Sequence, residues 1–182
     1  MDEFKCGICG KEMRSGYNEN MIHYIDGDEQ HTLISNVMVI HKECHSKINN
    51  QPVISISKQF SFAAAHKLPR YKGKCHNLHG HEWILEVYIK QNVNSDTSMV
   101  IDFKVLKEIV EKHIISLLDH NYINDIIDEP TAENILIWIW DILMSNNLKG
   151  INKIKLWESP GNCAEIDLDS MCHFYKERTD KK

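Results

Sequence analysis

The chain has no apolar run long enough to cross a bilayer. Its densest apolar stretch, "ILIWIW" from Ile135 to Trp140, stops at Asp141, whereas a spanning helix needs about 20 such residues. It also has no excess of positive charge: 21 Lys and Arg against 26 Asp and Glu give a formal charge of -5. A general attraction for phosphate backbones is therefore absent, and nucleic acid is not an expected partner unless a local patch binds it. The start, "MDEFKCGICG", lacks the basic beginning and apolar core of an export signal, so a cytoplasmic protein is expected. Repeats and low-complexity tracts are missing as well. What is present is globular in composition, with 42% hydrophobic and 26% charged residues in 182. That length suits one compact domain, or a domain with a small appendage.

The six cysteines are few and clustered. In a reducing compartment such spacing favours metal ligands or reactive thiols over disulfides. "CGICG" carries Cys6 and Cys9, and "HKECH" carries His41, Cys44 and His45. A Cys-x-x-Cys turn lets two thiolates reach one Zn²⁺, and His41 with Cys44 repeats that spacing. Three cysteine ligands and one histidine would close the coordination sphere, giving a structural site in a segment with little core. His45 is the alternative fourth ligand, because 31 residues separate the two pairs. Thiols packed in a small core, or a redox pair of Cys6 and Cys9, are the competing readings. "NNQPV" reads as a boundary, dividing a zinc module at 1–51 from a second domain at 52–182.

In the second domain "VISISKQFSFAAAH" alternates, with Ile54, Ile56, Phe60, Phe62 and Ala64 on one side and Lys58 as the exception. The same register turns His66 to the apolar face. A second strand, "HGHEWILEVYI", puts His79, His81, Trp83, Leu85, Val87 and Ile89 on one face. Asp102 is the expected N-cap of a helix whose apolar side holds Phe103, Leu106, Ile109, Val110, His113, Ile114 and Leu117. Thr131 should cap the next helix, with Ile135, Leu136, Ile139 and Leu143 toward the sheet and Glu133 in its first turn. Ile154, Leu156 and Glu158 alternate in a third strand, and a last strand is expected within "AEIDLDSMCHFY", broken near Asp169 and Ser170. The order strand, strand, helix, helix, strand, strand predicts an α+β domain with helices over one sheet face.

Two histidines at i and i+2 of a strand, with His66 approaching from its neighbour, can share one ion. Three neutral imidazoles leave a fourth position for water or substrate. An oxygen bound there would lose a proton more readily. Buried, hydrogen-bonded histidines and a noncatalytic metal site are the alternatives. His76 has the opposite parity and reads as a loop residue. Cys75, four residues before His79, could serve the same pocket as nucleophile or base, or could simply be buried. Asp119 and His120 form an acid/base relay or a capping cluster, and Glu158 is a ligand anchor or a strand-end carboxylate.

"FSFAAAHKL", "CHNLHGHEW", "LLDHNYIN", "PTAEN" and "LWES", in this order, resemble the 6-pyruvoyl-tetrahydropterin synthase superfamily, most closely its queuosine-pathway branch of 6-carboxytetrahydropterin synthases. The resemblance covers roughly residues 53 to 176 and leaves the first 50 unexplained. It implies catalytic zinc on His66, His79 and His81, Cys75 as base, and Asp119 with His120 as proton-transfer partners. It further implies that Glu158 holds the pterin, with Thr131 and Glu133 beside the pocket. The implied substrate is 7,8-dihydroneopterin triphosphate, and the implied product is 6-carboxy-5,6,7,8-tetrahydropterin, with loss of triphosphate and acetaldehyde. No redox cofactor is needed. The implied fold is the T-fold, assembled as a homohexamer from two trimers with sites between subunits. The short "C-x-x-x-HGH" spacing favours the carboxy branch. A 6-pyruvoyl product and a zinc-stabilised binding protein without turnover are the alternatives. Eight acidic and five basic residues in the first segment disfavour a generic phosphate-binding surface there.

Overall fold

The structure, a computed structural model, describes residues 4–13, 20–25, 29–30, 33, 36–48 and 51–179. Asn49 and Asn50 of the expected boundary lie outside these residues. Three antiparallel sheets are present among them. Two are small: β1 (Phe4–Lys5) with β2 (Glu12–Met13), and β3 (Asn20–Tyr24) with β4 (Val37–His41), the latter running into α1 (Lys42–Ile48). The third has four strands in the order β5 (Val53–His66), β6 (His79–Asn92), β7 (Ile151–Ser159) and β8 (Asn162–Asp167).

Alternation decides which face of the large sheet is buried, because successive side chains point to opposite sides. Phe60, Phe62, Ala64, Trp83, Leu85, Val87, Ile89, Ile154 and Leu156 all point inward. Two helical stretches cover them. The first is α2 (Phe103–Val110), a π turn at Glu111–Ile115 and α3 (Ser116–Leu118); the second is α4 (Ala132–Ser145). Asp102 caps α2 by accepting from the Lys104 N–H at 2.8 Å, and Thr131 caps α4 by accepting from the Asn134 N–H at 3.3 Å. Ile135, Leu136, Ile139, Trp140 and Leu143 of α4 are buried. The helix-free face is polar, with Tyr88 donating to Glu86 at 2.9 Å and Lys155 paired with Glu165 at 3.0 Å. This is the α+β architecture of a T-fold subunit, with helices on one face only.

Several local expectations are corrected: Phe103, placed on the apolar side of α2, is 48% exposed, and Ile54, placed on the apolar face of β5, is 42% exposed. The extra residue of the π turn shifts the helical register, so Leu118 is buried beside Leu106, Val110 and Ile114, while Leu117 is 44% exposed. The last strand ends at Asp167, and a further helix, α5 (Leu168–Thr179), follows instead of more strand. Asp167 accepts from the Ser170 N–H at 2.9 Å, so its side chain stops the ladder and starts the helix. Leu168, Met171 and Cys172 then complete the core.

Candidate metal and reaction centre

His66 is the last residue of β5 and pairs directly with His79, the first of β6. His81 lies two residues further on, so all three rings share the buried face. Their centroids are 4.5, 5.3 and 4.9 Å apart, and Trp83 closes the floor at 5.1 Å from His66 and 5.6 Å from His81. The His66 Nδ1–H donates to the Pro130 carbonyl at 2.9 Å, and the His79 Nδ1–H donates to the Asn77 carbonyl at 2.8 Å. These bonds fix the tautomers and turn the Nε2 lone pairs away from the backbone.

The Nε2 atoms of His66, His79 and His81 are all buried and have no hydrogen-bond partner. Leaving a buried polar atom unmet costs about 1–3 kcal/mol, so three together call for a shared partner. One ligand atom from each, with one carboxylate oxygen of Glu158, fall within 4.8 Å of one another. Glu158 Oε1 is 3.5 Å from His66 Nε2 and 3.6 Å from His81 Nε2. Burial pushes the His66 pKa down, against the Pro130 carbonyl, and keeps the ring neutral. Neutral nitrogen donors beside one carboxylate suit a divalent metal of the zinc type.

Glu158 also faces a cavity of about 420 Å³, where Thr131, Glu133, Leu68, Asn162 and Cys163 join it. Thr131 and Glu133 sit there because the N-terminus of α4 is tied down. Its preceding carbonyl, Pro130, holds His66, and the Asn134 side chain donates to the Glu129 carbonyl at 2.8 Å. Cys75 is half-buried in a tight turn at Lys74–His76, which also contains His76; the turn is anchored by the Leu68 N–H on the Cys75 carbonyl at 2.8 Å.

Asp119 and His120 run along the free edge of β5. Asp119 Oδ1 accepts from the Ala63 N–H at 2.9 Å, and the His120 N–H donates to the Ala63 carbonyl at 2.6 Å. His120 has a left-handed backbone, φ 57°, and its ring donates from Nδ1 to Asp119 Oδ2 at 2.9 Å. The Ala63 N–H, then His120, hold the Asp119 carboxyl below its ordinary pKa. The His120 side chain is 82% exposed, so its remaining nitrogen is available outside the chain's own core.

Several supporting residues were not singled out from sequence. Asn124 clamps Lys67, beside His66, by accepting from its N–H at 2.9 Å and donating to its carbonyl at 3.0 Å. Pro130 and Asn77 act through backbone carbonyls. The "SPGN" turn, with Gly161 at φ +88°, brings Asn162 and Cys163 to the cavity and had a readable turn signal. At the other end of the molecule, Cys6, Cys9, His41 and Cys44 bring one ligand atom each within 4.8 Å of one another, while the His45 ring packs against His23 at 5.4 Å.

The family model for 6-pyruvoyl tetrahydropterin synthase matches residues 55–169. The chain belongs to this family. A 6-carboxy-5,6,7,8-tetrahydropterin synthase from Synechocystis is 39% identical over 115 residues, 60% of this chain and 89% of that protein. A dihydroneopterin monophosphate aldolase from Pyrococcus furiosus is 38% identical over 112 residues, 60% of this chain and 91% of that protein. The solved 6-pyruvoyl tetrahydropterin synthase of Caenorhabditis elegans superposes with TM-score 0.60 at 25% identity, over 64% of this chain and 96% of that one. The 6-pyruvoyl tetrahydropterin synthase match spans the three histidines, Cys75, Asp119, His120, Thr131, Glu133 and Glu158, and begins after the amino-terminal cysteines. No helix among the described residues is long and apolar enough to cross a membrane.

Proposed function

We propose that this chain is a zinc enzyme converting 7,8-dihydroneopterin triphosphate and water into 6-carboxy-5,6,7,8-tetrahydropterin, acetaldehyde and triphosphate. The observation that carries the reading is the set of three buried, unpartnered Nε2 atoms beside Glu158, at a cavity of about 420 Å³. Its support for the carboxy branch is the short Cys75-to-His79 spacing together with the Synechocystis relative.

Zinc, when held by His66, His79 and His81, supplies Lewis acidity to the side-chain oxygens of the substrate and makes the adjacent C–H more acidic. The chain's own residues do the rest. Glu158 accepts N–H bonds from the pterin, and its negative charge makes those bonds about twice as strong as neutral ones. Cys75 takes the proton from the side-chain carbon as a thiolate base. Asp119 fixes the His120 tautomer, leaving the opposite ring nitrogen to accept and return protons. Thr131 and Glu133 line the cavity wall, with the Thr131 hydroxyl committed to its cap.

The active unit is an oligomer in this reading, a homohexamer of two trimers. Strands β5 and β8 are the outer strands of the large sheet, and open edges are removed when sheets of several copies join. His120 projects from the β5 edge and would meet a neighbouring copy there.

The test incubates zinc-loaded protein and its Cys75→Ala variant with the triphosphate under reducing, anaerobic conditions, following pterins and aldehydes by mass spectrometry. Carboxytetrahydropterin with acetaldehyde, lost in the variant, is expected. A pyruvoyl product without acetaldehyde would move the activity to the sister branch. Preference for the monophosphate would move it toward the aldolase. No conversion by the metal-loaded oligomer would remove the enzyme reading.

A further inference from the structure

The geometry points to a second zinc ion, held by Cys6, Cys9, His41 and Cys44. We propose that it is structural and holds together the amino-terminal segment, which lies against the end of the large sheet farthest from the three histidines.

The four side chains come from three separate pieces: the turn after β1, the last residue of β4, and α1. With Zn–S about 2.3 Å and Zn–N about 2.0–2.1 Å, tetrahedral neighbours S and N lie about 3.5 Å apart. Cys9 Sγ and His41 Nδ1 are 3.5 Å apart, and the whole set spans no more than 4.8 Å. The cysteine turn is built for ligands. Gly10 turns the chain at φ +67° and donates its N–H to the Cys6 carbonyl at 2.9 Å, while the Gly7 N–H ties the turn to Val39 of β4 at 3.1 Å.

Four protein ligands leave no position for substrate, which makes the site structural. The need for it follows from the core around it: Cys6, Met13, Ile40 and Cys44 are the buried members of this cluster, with Ile8 and Met38 packed on them. Without an ion, the ligands themselves would make up half of that buried core, too little to hold such a segment together.

The position excludes a share in the pterin chemistry of the same chain. Gly7, Ile8, His23 and Met38 meet Gln91 to Ser95 across a small cavity, and the Lys149 ammonium donates to the Val37 carbonyl at 3.3 Å. That is the Val53–Asn92 end of the β5–β6 pair, whereas His66 and His79 form its other end. Thirteen strand steps of about 3.3 Å separate the two ends by roughly 40 Å.

Metal analysis and cobalt spectroscopy of the full-length protein test this without any pterin substrate. Two zinc ions per chain are expected, falling to one in Cys6→Ser and in Cys44→Ser, and also to one in His79→Ala. Cobalt-loaded parent and His79→Ala should both show the near-ultraviolet thiolate-to-cobalt band, and Cys6→Ser should lose it. His41→Cys should keep both ions and strengthen the band, and His45→Ala should change neither, so the outcome does not hang on a variant that fails to fold. Proteolysis within residues 4–48 should speed up about tenfold or more on loss of the ion. One ion per chain with no thiolate band in the parent, a Cys6–Cys9 disulfide, or a band unaffected by Cys6→Ser would overturn the proposal, whatever the turnover assay shows.

Discussion

Removing His66 and removing His81 should abolish the same metal site yet have different effects on the metal-free protein. His66 is fully buried, and its Nδ1–H meets the Pro130 carbonyl at 2.9 Å. His81 keeps a side chain 24% exposed at the edge of the site. In chelator, His66→Ala leaves that carbonyl unmet, about 1–2 kcal/mol, and opens an enclosed cavity worth about 1–2 kcal/mol. His81→Ala opens space that water can fill. Both variants also remove one unpartnered Nε2, a relief of similar size in each, so it cancels in the comparison. The difference left is about 2–4 kcal/mol against His66→Ala. For a chain of this size that is about 4–16 °C in Tm. Thermal melts in chelator, at one chain concentration because assembly shifts Tm, read it directly. Equal melting of the two variants would refute the idea that His66 joins the metal site to the start of α4.

Three further outcomes follow from the site. Cys75→Ala should lower kcat by about 10²–10⁴ with zinc content unchanged; loss of zinc would instead make Cys75 a ligand. Glu158→Gln should raise KM about 30-fold, as expected for about 2 kcal/mol in a charged hydrogen bond, while zinc remains; released zinc would show that Glu158 belongs to the coordination sphere. Asp119 is held below its ordinary value of 3.8, first by the Ala63 N–H and then by His120. A depressed carboxyl pKa makes its stabilising contacts fully present above that ordinary value and lost only as pH falls through the lower one. A carboxyl-carbon NMR titration should therefore place its midpoint below 3.8, and a midpoint at or above that value would contradict the clamp on β5.

The face of each histidine was legible because strand parity is strict: Phe60, Phe62 and Ala64 carry His66 inward, and Trp83 and Leu85 carry His79 and His81. The helix starts were legible for the same kind of reason, since Asp102 and Thr131 are short polar side chains immediately before apolar periodicity. What escaped acts across long sequence separations or through the backbone. Pro130 and Asn124 reach His66 and Lys67 from about 60 residues away, and a carbonyl partner leaves no mark on residue type. The switch from β8 to α5 was hidden because "EIDLDSM" satisfies strand alternation as well as a helix capped by Asp167. The π turn escaped too: one extra residue exchanges Leu117 for Leu118 without altering the apolar content of the segment.

The central claim is that the three histidines hold the catalytic metal with the pterin anchored on Glu158 beside it. A crystal of the zinc-loaded protein with a nonreacting dihydroneopterin triphosphate analogue, with diffraction recorded on both sides of the zinc absorption edge, tests it most directly. The account predicts an anomalous peak bonded to Nε2 of His66, His79 and His81, with the analogue's side-chain oxygens on the metal and its pterin ring on Glu158. No metal on these three histidines, whatever the cysteine cluster holds, or a pterin bound away from Glu158, would contradict it.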